Sequence, residues 1–283
     1  MKTILVGLVI LISSTAALAD NSRANWKRDD QPIELTLQLF HANDAVNLPT
    51  AETIGKNEME FQIMHRFYPP VSDGFDQFYG FDGPAGIRLG LAFGITDRMM
   101  ITLGRSNLND NVDLRLKYKA FNVKSDVLPT AIAFQGGIGW NTVKTITRDR
   151  TDSRNFQYYL QGIINAMPDK RIGLGLIPSY TYNSDIHSAD YEYVLTLGSY
   201  VQYYVGYPLS FLVEWNPRIS GDDSRFNSAS FGIELETGGH FFKIILTNST
   251  MLNPSQYLPG ADYKFKSDEW RIGFNITRLL SFN

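Results

Sequence analysis

Cysteine is absent from the 283 residues. That absence removes disulfides, thiolate metal centres, covalently attached c-type haem, cysteine nucleophiles and a lipid-bearing cysteine together. Past the first 19 residues no apolar run is long enough to cross a bilayer as a helix. Neither sign of charge dominates: 26 Lys and Arg against 29 Asp and Glu, interspersed, leave a net charge of −3. No basic face for nucleic acid follows from such a balance. Histidine is scarce, with four in the chain, whereas 18 Phe, 15 Tyr and 23 Gly are plentiful.

The chain opens with Lys2, an apolar run from Ile4 to Ile12 and a small-residue stretch ending Ala17-Leu18-Ala19. These are the n-region, h-region and A-x-A site of a secretory signal peptide cleaved near Ala19. A membrane anchor is disfavoured because the run is too short to span. From 20 to 55 the chain is polar, with one alternating segment through Ile33, Leu35, Leu37 and Leu39. It reads as an N-terminal periplasmic arm, an extra strand or a segment packed in a barrel mouth.

From 56 to 283 apolar residues fall on every second position. The clearest run is Ile87, Leu89, Leu91, Phe93 and Ile95, with Arg88, Gly90, Ala92 and Gly94 between. One face is greasy and the other small or polar, the period of a strand facing hydrocarbon on one side. Val112, Leu114, Leu116 and Tyr118 alternate with Asp113, Arg115, Lys117 and Lys119. Those charges demand a wet or paired face, since burying them unpaired is prohibitive. Comparable stretches recur up to Trp270, Ile272, Phe274, Ile276, Leu280 and Phe282. The total is about twelve strands, the even number expected of a bacterial single-chain barrel.

Connection lengths sort by parity. With the N-terminus in the periplasm, 96–98, 122–129, 168–170, 206–208 and 237–239 are the periplasmic turns. The others, 67–84, 106–111, 142–154, 184–189, 216–226 and 249–267, are mostly longer and richer in Asp, Asn, Ser and Pro. Short inner turns and long outer loops are the habit of outer-membrane barrels. Tyr68, Trp140, Tyr182, Trp215 and Trp270 near strand ends suit interfacial girdles, and Phe282, one residue from the end, approximates the terminal aromatic read by the barrel-assembly machinery. A soluble β-sandwich also alternates, but it would need a second apolar face. The expected fold is all-β, an antiparallel transmembrane outer-membrane barrel.

The residues EFQIMHRF (60–67) and GFDQFYGFDGPAGIRLGLAFGITDRMMITLGRS (74–106) carry a likeness. With the aromatic FDG loop, the I-R-L-G-L strand and the G-I-T-D-R turn, the chain resembles a family of Gram-negative membrane β-barrels of unknown function. The resemblance is strongest over 58–106. It implies a barrel in the outer membrane and supplies no substrate or catalytic residue.

Candidate chemistry is thin. His65 and His187 are the histidines placed where an outer-membrane hydrolase could use one, but Ser188 and Asp190 beside His187 are neighbours in sequence only. Asp73, Asp76 and Asp82 have enough oxygens for a calcium ion, yet the Asp-Gly pairs are explained as turn chemistry. Catalytic residues, metals and cofactors are therefore expected to be absent. The lumen face is the better candidate: Arg88, Arg115, Lys117 and Lys119 on early strands, and Glu192, Glu214, Glu234 and Glu236 on later ones, put opposite charge on opposite walls. Phe75, Phe78, Tyr79 and Phe81 are candidates for a loop constriction. The expected role is a passive pore or small-solute channel. The alternative is a plugged structural or partner-docking barrel, such as one scaffolding an exported redox assembly. The expected partners are outer-membrane lipid, the barrel-assembly machinery and a small solute, with no nucleic acid.

Overall fold

The computed structural model describes residues 38–144 and 148–281. The leader, the stretch from Ile33 to Leu37, and Phe282 lie outside the described residues.

The alternation becomes strands as expected: β1 (Glu58–Phe67), β2 (Ala85–Thr96), β3 (Met99–Ser106), β4 (Asn111–Val123), β5 (Thr130–Asn141), β6 (Phe156–Asp169), β7 (Ile172–Tyr182), β8 (Tyr193–Gly206), β9 (Leu209–Asn216), β10 (Arg218–Gly221), β11 (Ser228–Thr237), β12 (His240–Thr247) and β13 (Arg271–Ser281). Along β2 the outward Leu89 and Leu91 are 50% and 43% exposed, while the inward Arg88 and Ala92 on either side of them are 1% and 0% exposed. The polarity of a water-soluble domain is inverted, because the outer surface is solvated by hydrocarbon.

Neighbouring strands pair antiparallel around a closed ring. β1 joins β13, with Glu58 opposite Ser281 and Arg66 opposite Gly273. β9 pairs with both β8 and β11. β10 prolongs the line of β9 and pairs Arg218 with Thr196 of β8, so the thirteen segments make twelve staves. The outer loop expected to start at Asn216 therefore starts later. Pro217 has no N–H for the ladder, but its carbonyl still accepts the Leu197 N–H at 3.1 Å, which lets the stave run on.

The five short turns all lie at one end, where four strands also carry register shifts: Gly94/Thr96, Lys119/Phe121, Ala166/Asp169 and Tyr204/Gly206. Bulges at a barrel rim bend and twist a strand without disturbing the pairing behind it. At the opposite end aromatic rings pair around the outside: Trp140 with Phe156, Tyr182 with Tyr191, Trp270 with both Phe231 and Phe265. This is the girdle at the hydrocarbon boundary.

The interior is not hollow. Residues 39–54 are almost all buried although no strand includes them, and so are residues 252–261 of the connection between β12 and β13. One continuous cluster contains Leu39, Phe40, Val46 and Leu48 of the first insert and Tyr257 and Leu258 of the second. It also holds wall residues such as Tyr159, Ile163, Ile177 and Leu212.

Candidate functional site

The inner insert enters at the short-turn end. Its root is fixed there by Asn57 N–H to Gly94 O at 2.9 Å, Lys56 N–H to Asp97 Oδ1 at 2.9 Å and Thr53 Oγ1 to Asp97 O at 2.9 Å. At its tip the chain reverses over 45–48, with Ala45 N–H to Leu48 O at 2.8 Å and Thr50 N–H to Asn43 O at 2.9 Å. A reversal inside a barrel leaves backbone groups that no ladder can pair, and each must find a partner. The wall supplies them.

Glu214 of β9 does most of this at the tip. Its Oε2 accepts from three successive backbone N–H groups, Val46 at 3.1 Å, Asn47 at 2.9 Å and Leu48 at 2.9 Å, and its Oε1 accepts from Asn47 Nδ2 at 3.1 Å. Successive N–H groups converging on one anion form a nest, here with the anion supplied by the wall. On the other side Lys117 Nζ of β4 donates to Asn43 O, Thr50 O and Glu52 O at 2.8, 3.1 and 3.1 Å. Lys243 Nζ donates to Asp44 O at 2.5 Å and Ala45 O at 2.6 Å. Two buried ion pairs run from insert to β4, Asp44 to Arg115 at 3.3 Å and Glu52 to Lys119 at 2.7 Å. Arg66 Nη2 holds Asn47 Oδ1 at 3.0 Å, and His41 Nδ1 meets Glu236 Oε2 at 2.5 Å. Glycine on the wall makes room: a Cβ at Gly94 would lie 1.9 Å from Gly55 O of the insert.

The outer insert belongs to the 248–270 connection. Its one-turn helix (Pro254–Tyr257) packs on β5 and β6, half-way round the ring from β12 and β13 that carry it, so the connection crosses the full lumen. Asn253 accepts from Arg88 Nε at 2.6 Å and donates through Nδ2 to Asn111 O at 3.2 Å. Gln256 accepts from Ser106 Oγ at 3.2 Å and donates to Leu108 O at 2.9 Å. Arg88 also forks onto Asp113, Nε to Oδ1 and Nη2 to Oδ2, both at 3.1 Å. Toward the loop base burial pushes the Asp262 carboxyl up, and hydrogen bonds from Thr250 oppose that.

Arg88, Arg115, Lys117, Lys119, Glu214, Glu234 and Glu236 thus lie inside the barrel and are buried. They do not face one another across water, because the inner insert lies between the walls; Glu234 pairs with Lys243 at 3.0 Å beside it. Glu192 does not join them. It precedes β8 at the outer rim, half-buried, in a connection where the strand has not yet begun, and its carbonyl accepts from Ser184 N–H at 3.0 Å.

Phe75, Phe78, Tyr79 and Phe81 do not form the expected constriction. They are exposed, on the 3-10 turns over Val71–Gly80 and, for Phe81, just past their end; Phe78 and Tyr79 adopt φ of 43° and 55°. Phe81 meets Phe67 on the outward face of β1 at 5.1 Å, and Phe78 meets Phe81 at 5.9 Å. The loop is tied to the β13 side of the rim by Val71 N–H to Trp270 O at 2.8 Å. The 20–55 segment, for which three placements were open, lies in the lumen as far as it is described.

His65 points outward and stacks on Phe274 at 4.8 Å, and His187 is exposed in the β7–β8 connection. Among the described residues neither ring is paired with a serine hydroxyl. Sequence reasoning missed Arg66 and Lys243, although both sit on inward positions of recognised alternations (MHRF, HFFKIIL). It also missed Asp44, Asn47 and Glu52, for which no periodic signal exists.

Comparison with known proteins agrees with the architecture. A family model described as "membrane bound beta barrel domain (DUF5777)" matches residues 40–280. No curated protein matches the chain significantly. Among solved structures the chain is similar to a NanC porin, with 12% identity over 80% of this chain and 99% of that one, TM-score 0.45. It is similar also to an outer membrane channel from Pseudomonas putida F1, with 11% identity over 81% and 98%, TM-score 0.45. The Acinetobacter baumannii outer membrane protein Omp33 aligns at 9% identity over 80% and 99%, TM-score 0.41.

Proposed function

The chain belongs to the membrane bound beta barrel domain (DUF5777) family, and from that premise we propose that it is an outer-membrane barrel for a small solute, kept closed by its own N-terminal segment and opened when that segment withdraws. The observation that carries this reading is the Glu214 nest. A wall built only to be filled would be expected to use apolar side chains, which pack an interior without buried charge. This wall instead places Glu214, Lys117 and Lys243 on the backbone of the insert, so that the contacts are polar and exchangeable for water.

The test is conductance in a planar bilayer. The full chain should show a quiet baseline with rare steps. A variant lacking 38–52, or one carrying Glu214→Ala with Lys117→Met, should show frequent discrete steps, provided its folded, heat-modifiable band on gels is retained. Folded variants that remain silent would refute gating and favour the second reading, a closed barrel that scaffolds partners; the occlusion at both mouths is the observation in its favour.

A further inference from the structure

The inward side chains divide the wall by charge. Buried charges of both signs lie on β1 (Glu60, Arg66), β2 (Arg88), β4 (Asp113, Arg115, Lys117, Lys119), β9 (Glu214), β11 (Glu234, Glu236) and β12 (Lys243), whereas every buried inward side chain along β5 to β8 is uncharged. We propose that this neutral sector, roofed by the outer insert, is a binding site for a small uncharged polyhydroxylated solute of polyol or monosaccharide size. The proposal rests on the gated-barrel reading only for how the solute arrives and leaves.

Strand register makes the patch contiguous. Gln135 lies opposite Gln161, Gln161 opposite Ser179, and Ser179 opposite Thr196; in the next row outward Tyr159 lies opposite Thr181. Four strands and two inward rows give a patch of about 14 by 7 Å. A hydrogen-bond relay orders it: Gln135 Nε2 to Gln161 Oε1 at 2.9 Å, then Gln161 Nε2 to Ser179 Oγ at 3.4 Å. The roof is close, since a Cβ at Gly139 of β5 would lie 2.1 Å from Ser255 Oγ.

Unpaired polar atoms collect here. Gln135 Oε1, Tyr159 OH, Thr181 Oγ1 and Thr196 Oγ1 on the wall, and Ser255 Oγ and Tyr257 OH in the roof, have no hydrogen-bond partner among the described residues. All six residues are at most 5% exposed. Buried polar atoms in proteins are nearly always paired, so six together imply a missing partner. Five of the six are hydroxyls, which both donate and accept. The sector's own side chains carry no charge, and the charges bordering it on the β4 side are engaged with one another, Arg88 with Asp113 and Arg115 with Asp44, so the complementary ligand is itself neutral and rich in hydroxyls, and the two tyrosine rings suit its C–H faces.

Equilibrium dialysis of the detergent-solubilised full chain against millimolar radiolabelled D-glucose or sorbitol, with gluconate as the charged control, tests this. Saturable binding of a neutral probe at least tenfold tighter than gluconate is expected. Thr181→Val with Thr196→Val, which keeps shape and removes two hydroxyls, should weaken it at least tenfold, and Thr181→Ser should not. No saturable binding to wild type would mean ordered water only and overturn the site, as would unchanged binding in the folded Val variant. Binding without conductance in the opened variants would keep the site and sink the gate; conductance without binding would do the reverse.

Discussion

Replacing Glu214 by alanine isolates the inner insert from the wall that holds it. All four hydrogen bonds of its carboxylate among the described residues run to the insert, three to backbone N–H groups and one to the Asn47 amide. Each buried group left without a partner costs about 1–3 kcal/mol. Dry, the four together would exceed about 4 kcal/mol; water entering the vacated space satisfies some of them, and about 3 kcal/mol is a conservative remainder. That corresponds to roughly a hundredfold change in the ratio of withdrawn to seated insert. The absence of native cysteine provides the assay. Ala45→Cys, at a position with 0% exposure in the insert tip, becomes the sole thiol, and its labelling by a membrane-impermeant maleimide reports withdrawal. Labelling of the double variant should be roughly a hundredfold faster than of Ala45→Cys alone. Equal rates in two folded barrels would refute the claim that Glu214 holds the insert.

Other perturbations separate wall, insert and loop. Leu91→Arg places a cation in mid-strand on the lipid face and should cost about 2–4 kcal/mol, read as loss of folded barrel in outer-membrane fractions, whereas Ala92→Ser on the inward face should assemble. Gly94→Ala drives a Cβ to 1.9 Å from the backbone at Gly55, so it should accelerate maleimide labelling at position 45 while barrel melting is little changed. Gly139→Ala meets Ser255 of the outer insert instead, and should speed proteolysis of the 248–270 connection without affecting position 45. Arg88→Lys keeps the charge but loses the fork onto Asp113, and should lower stability to denaturant in detergent by about 1–3 kcal/mol, the cost of a buried hydrogen-bonding group left without its partner.

The barrel was legible because its signal is local. The Ile87 to Ile95 alternation, the Thr96-Asp97-Arg98 turn and the inward Arg115, Lys117 and Lys119 depend on period 2 and turn chemistry alone, and the strands follow them. The contents of the barrel were not legible for the complementary reason. Asn43, Asp44 and Asn47 look like solvated loop residues, and what buries them are side chains such as Glu214 and Lys243, far away in sequence. The 248–270 connection reads as an external loop by composition, and its inward fold depends on Ser106, Asn111 and Arg88, which only the closed ring brings within reach. The Phe75 to Phe81 aromatics were misjudged because composition does not reveal on which side of a rim a loop falls.

The root of the inner insert, where Asn57 and Lys56 are fastened beside β2, makes that segment a ligand joined covalently to its own receptor. A short tether gives an effective local concentration on the order of millimolar, so a withdrawn insert has a strong tendency to return before any free solute or peptide of similar affinity occupies the cradle. Competition in solution is therefore a poor way to keep the barrel open. A partner that grips the chain ahead of residue 38 and pulls would act on the insert's other end, opposite the tether, and its effect would scale with applied force and not with solute concentration.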